Sequence, residues 1–183
     1  MINGIIRSQI KLLKESALEL KQTKSITALG LLVAMNIVIG TLFIEIGPNL
    51  RIGFAFLVVG ICGLYYGPIA TGCVGIIADI LKYLIRPSGV FFLGFTLNEF
   101  LSGFIVGMIL YKKPVTIKRV FLCRFLVVFI VNIILTPIWL SILYGKGFVF
   151  YVSTRIFKNI ILLPIETIIL YFLLKATEKV KIR

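Results

Sequence analysis

The chain has 183 residues, 60% of them hydrophobic, and a mean hydropathy of +1.09. Soluble domains carry nearer half apolar residues and lack long uncharged runs, so these values exclude a water-soluble globule and indicate an integral membrane protein. The formal net charge is +13, gathered at the N-terminus (Arg7, Lys11, Lys14, Lys21, Lys24), at Lys112 to Arg119 and at Lys175 to Arg183, which cytosolic membrane loops explain more simply than a nucleic-acid partner.

Residues 1–24 come first. Ile6, Ile10, Leu13, Ala17 and Leu20 recur there at helical spacing, with lysines between. The pattern predicts either an amphipathic helix on the inner membrane face or a plain cytosolic extension. No apolar core with a small-residue cleavage site occurs in this stretch, so no cleavable leader is expected. Five apolar runs follow, each near or above the roughly 20 residues that a membrane crossing takes. The first covers 26–44. The second, 52–85, is broken by Tyr66-Gly67-Pro68, which predicts two short helices. The others cover 92–111, 120–144 and 153–174, with a kink expected at Thr136-Pro137. The expected fold is an all-α integral membrane protein, a bundle of six transmembrane helices over residues 25–177 with a basic tail at 178–183. An even count puts both termini on one side. The basic clusters assign that side to the cytosol, across the cell membrane.

With this orientation, polar residues at membrane depth fall almost entirely in the outer half. Arg51 opens the second helix. Asp79, Lys82 and Arg86 end the third, on one face with Gly72 and Gly75. Thr96, Asn98 and Glu99 open the fourth, where Gly103 and Gly107 form a packing step. Asn132, Thr136 and Trp139 share a face of the fifth. Arg155, Asn159 and Glu166 share one of the sixth, near Lys158. Asn36, Arg124 and Glu166 lie deeper. Any one of these residues has an ordinary structural use, such as an Asp79–Lys82 ion pair or arginines reaching head groups. Their convergence from five helices on one leaflet predicts a ligand pocket open to the outside. Cations there suit an anionic ligand, amides and acids suit a polar heterocycle, and Phe54, Phe56, Phe91, Phe92, Trp139 and Tyr151 suit a flat ring.

Other chemistry is poorly supplied. The chain has no histidine and no GxxxxGK[ST] or HExxH motif. Its three cysteines lie apart in apolar surroundings. Neither a metal nor a cofactor is expected, and an enzyme built on Asp79 and Glu99 is a distant reading. A binding protein without an ATPase of its own needs partners to move its ligand.

Several segments carry a family resemblance: LRIGFAFL (50–57), GPIATGCVGIIADILKYLIRPSG (67–89), FFLGFTLNEFLSGFIVG (91–107), TIKR (116–119), WLSILYGKGF (139–148) and RIFKNIILLPIE (155–166). From about Ser16 to Thr177 the chain resembles the substrate-binding S components of energy-coupling factor (ECF) vitamin transporters, in their folate-type branch. It departs from that branch at Leu93 and Glu99. The resemblance implies six helices and a vitamin pocket near the outer surface. Folate is the expected ligand, with pantothenate or a pyridoxine-like vitamin as the alternative. It also implies a membrane scaffold subunit and two cytosolic ATPases as partners, and delivery by tilting of the S component. The expected binding residues, drawn from the clustering above, are Arg51, Phe54, Phe56, Asp79, Lys82, Arg86, Phe92, Thr96, Asn98, Asn132, Trp139, Arg155 and Asn159. A small-residue face of Ala28, Gly30 and Ala34 would meet the scaffold, or would otherwise be a packing seam inside the bundle.

Overall fold

The computed structural model describes residues 2–45, 51–87, 90–145 and 147–179. An N-terminal helix, α1 (Ile2–Glu19), leads into α2 (Thr23–Thr41). A short antiparallel ribbon follows, β1 (Phe43–Glu45) against β2 (Arg51–Gly53), in which Ile44 faces Ile52. The helices α3 (Ala55–Ile85), α4 (Leu93–Leu110), α5 (Ile117–Leu126), α6 (Thr136–Tyr144) and α7 (Phe148–Lys179) complete the chain. A π-helical segment, Val127–Leu135, joins α5 to α6. Among the described residues, five stretches are long and apolar enough to cross a membrane: α2, α3, α4, the α5-to-α6 unit and α7.

The apolar run expected over 26–44 stops being helical at Thr41. Its last residues pair with β2 instead, which satisfies backbone groups that would otherwise lack partners. Hydrophobicity alone does not distinguish those two solutions.

The break expected at Tyr66-Gly67-Pro68 lies inside α3. Gly67 has φ 79° and ψ −175°, a conformation open to glycine, and Pro68 restarts the helix. The break exposes backbone groups at buried depth, and α1 answers them. Ser16 is completely buried. Its Oγ donates to the Tyr66 carbonyl at 2.8 Å and accepts from the N–H groups of Ile69 and Ala70 at 3.0 and 3.2 Å. One hydroxyl thus caps the helix that starts at Pro68 and closes the one that ends at Tyr66. Beside it, Lys112 Nζ lies 2.7 Å from Glu15 and holds that carboxyl below its ordinary range through their hydrogen bond. The segment before α2 is therefore a helix docked on the α3 elbow, with Lys11, Lys14, Lys21 and Lys24 exposed around it.

Ser16→Ala is expected to lower stability by about 1–3 kcal/mol, because buried backbone donors and an acceptor lose their partner. Lys112→Ala, at an exposed pair, should change it by about 1 kcal/mol or less. Thermal unfolding of the purified protein in detergent checks both; equal effects would refute the capping role.

Close helix contact sets the rest of the bundle. A Cβ on Gly103 would stand 2.6 Å from the Thr71 carbonyl oxygen, and one on Gly107 would stand 2.4 Å from Pro68 backbone atoms. The GxxxG step on α4 is thus a packing seam against α3. In the unit running from α5 to α6, the kink expected at Thr136-Pro137 takes the form of the π segment just before it. Pro137 has no N–H to continue an α ladder, and the Thr136 N–H and Oγ both bond the Val131 carbonyl. Deep between α5 and α7, Arg124 pairs with Glu166 and stacks on Phe56, with 4.6 Å from its guanidinium carbon to the ring centroid.

Candidate ligand site

A cavity of about 580 Å³ opens at the end of the bundle where α3 finishes and α4 begins. Ile37, Gly40 and Thr41 wall it from α2, and Asp79, Lys82, Tyr83, Ile85 and Arg86 from α3. Val90, Phe91, Phe92 and Phe95 form the next wall, and Tyr144 reaches in from α6. Its volume suits a drug-sized organic ligand. The floor is charged because helical spacing carries Asp79, Lys82 and Arg86 to one face of α3. The rim is aromatic; the Tyr83 and Phe91 rings lie 5.1 Å apart.

Each of the two inner charges is held by a neutral group from a neighbouring helix. Thr96 Oγ1 donates to Asp79 at 2.7 Å. Lys82 Nζ donates to Asn36 Oδ1 at 2.6 Å. Among the described residues, Asp79 and Lys82 do not pair with each other or with another charge within 4.0 Å. A site built this way keeps both charges available: an acceptor for ring N–H groups and a donor for an anion.

The expected binding residues separate into groups. Asp79, Lys82, Arg86 and Phe92 line the cavity. Thr96 stands behind Asp79. Asn98 is buried one layer further back, where it donates to Thr136 at 3.1 Å and accepts from Trp139 Nε1 at 3.0 Å. The Trp139 ring packs 5.7 Å from Phe92, so this layer supports the cavity wall rather than forming it. Asn132 donates to Asn159 at 3.4 Å, and Asn159 donates to the Arg155 carbonyl at 2.9 Å, in a separate polar patch between the π segment and α7. Phe56 lies against Arg124, away from the cavity, and Phe54 caps α3 without lining it. The side chain of Arg51 lies outside the described residues. Glu99 packs its backbone on Gly75 and is not part of the lining.

The residues missed in the sequence are mainly on α2. Asn36 and Gly40 stand four apart on its inner face, and that spacing beside Ile37 was the available signal. The opposite face of α2 carries Gly30 and Ala34, both exposed; a Cβ on Gly30 would meet nothing within 4 Å. Neither residue is part of a seam inside the bundle. Ala28 is half-buried.

Residues 20–179 match the family model of the ECF-type riboflavin transporter S component. The folate transporter FolT of Clostridium novyi (strain NT) is 35% identical over 164 residues, covering 89% of this chain and 95% of that one. FolT of Leuconostoc mesenteroides is 33% identical over 159 residues, covering 83% and 85%. A crystal structure of FolT bound with folic acid superposes with a TM-score of 0.76 at 39% identity, over 83% of this chain and 93% of that one. With the family model matching residues 20–179 and relatives matching along most of the length, this chain belongs to the family of ECF-type transporter S components.

Proposed function

We propose that the chain is the folate-binding S component of an ECF importer and that folate sits in the 580 Å³ cavity. The observation that carries this reading is the placement of an acid and two cations, without charged partners among the described residues, on one face of α3 under an aromatic rim. Folate joins a flat aminopyrimidinone ring system to a glutamate. The ring offers N–H donors to Asp79 and a face to Phe91, Phe92 and Phe95. The glutamate offers carboxylates to Lys82 and Arg86. The folate-bound structure of a 39% identical relative supports the same assignment.

The topology that accompanies this function has six crossings, with the two halves of α3 counted separately at the Gly67 elbow. Both termini are cytosolic, as the basic clusters favour. The chain holds no nucleotide-binding motif, so a scaffold subunit and two ATPases supply the energy. The exposed Gly30 and Ala34 let a scaffold helix approach closely. Tilting against that scaffold then carries the loaded cavity inward.

Riboflavin is a second reading, favoured by the description of the matching family model. The two ligands differ in charge, because riboflavin has no carboxylate. Purified protein titrated with folate is expected to show calorimetric heat and quenching of Trp139 at micromolar ligand. Asp79→Asn should weaken folate binding about 10- to 100-fold, the weight of a charged hydrogen bond. Lys82→Ala should weaken folate and spare riboflavin. A wild-type protein that binds riboflavin and ignores folate would overturn the assignment.

A further inference from the structure

The far end of Lys82 is held by α2. Its Nζ ends on Asn36 Oδ1 at 2.6 Å. Asn36 is 2% exposed, and its Nδ2 makes a long contact with the Ala55 carbonyl at 3.5 Å, which leaves the amide oxygen turned to the lysine. One turn along, a Cβ on Gly40 would stand 2.8 Å from Lys82 Cε and 3.0 Å from Nζ. The lysine stem therefore lies across bare backbone at residue 40 and is gripped at its tip by a neutral acceptor. An aspartate at 36 would hold it equally well but cancel its charge. Arg86, by contrast, is exposed at the end of α3 and has no such support among the described residues.

We propose that Asn36 and Gly40 are positioning residues that make Lys82 the carboxylate receptor of this cavity. The ammonium is pre-set toward the cavity before the ligand arrives, so little side-chain freedom is lost on binding. The inference rests on the folate reading for the identity of the anion only; the hold on Lys82 stands by itself.

The test compares folate with 6-hydroxymethylpterin, which keeps the ring and lacks carboxylates. Asn36→Leu should weaken folate about tenfold or more, as loss of a charge-assisted hydrogen bond does, and change the pterin by about twofold or less. Gly40→Val should act in the same direction, and Asn36→Ser, which keeps an acceptor, should recover part of the loss. The double variant Asn36→Leu with Lys82→Ala should bind folate no worse than Lys82→Ala alone. In ligand-free protein, a water-soluble acylating reagent followed by mass spectrometry should label Lys82 faster in Asn36→Leu, because its tip is no longer tethered to α2 and moves more freely. Equal losses for both ligands, additive losses in the double variant, or unchanged Lys82 labelling would each overturn the proposal. A wild-type protein that binds no folate refutes the ligand assignment instead, and the labelling result then decides the positioning role.

Discussion

Glu166→Gln is expected to destabilise the protein by about 3 kcal/mol or more, the usual result of stripping a buried charge of its partner. Side-chain exposures of 8% for Arg124 and 12% for Glu166 leave the pair largely buried. Glutamine keeps the shape and a hydrogen-bond acceptor and removes only the counter-charge, so the loss reports electrostatics. Phe56 stacks on the guanidinium but does not replace an anion. Replacing both partners together, Arg124→Met with Glu166→Leu, should recover much of the loss, since no charge is then left alone. Thermal unfolding in detergent of the single and double variants measures this. If Glu166→Gln melts with the wild type, the pair has no structural role.

Gly107→Leu should prevent folding of the bundle altogether. At residue 107 an added Cβ would lie 2.4 Å from the backbone N and Cα of Pro68, and 2.6 Å from the Gly67 carbonyl carbon. The obstructing atoms are all backbone, so no rotamer change relieves the clash. Even alanine there should cost about 1–3 kcal/mol as overpacking, and leucine more. Gly30→Leu is the control: it adds the same bulk where nothing lies within 4 Å. Monodispersity on size-exclusion chromatography and the melting temperature separate the two. A folded Gly107→Leu protein would mean that α3 and α4 do not approach as closely as described.

Long apolar runs, the Gly67-Pro68 break and the Gly103/Gly107 seam were readable because each depends on local composition or on helical spacing. Membrane burial amplifies such signals, since every backbone group must find a partner along the chain itself. The resemblance to S components was equally legible from contiguous segments, and with it the vitamin-binding function.

The site divided along another line. Spacing on α3 put Asp79, Lys82 and Arg86 together, because one helix fixes their relation. Spacing says nothing of which neighbouring helix stands opposite. Thus Asn98, Asn132, Arg155 and Asn159 went to a supporting layer and a separate patch, and Phe56 turned to Arg124. Likewise Ser16, unremarkable in a basic amphipathic stretch, became the cap of a broken helix, and Asn36 and Gly40 became the hold on Lys82. Chain order alone determined the membrane-spanning architecture and the kind of ligand it suits. Tertiary packing alone decided which polar groups meet in one cavity, because contacts between helices depend on rotation and depth that no single helix encodes.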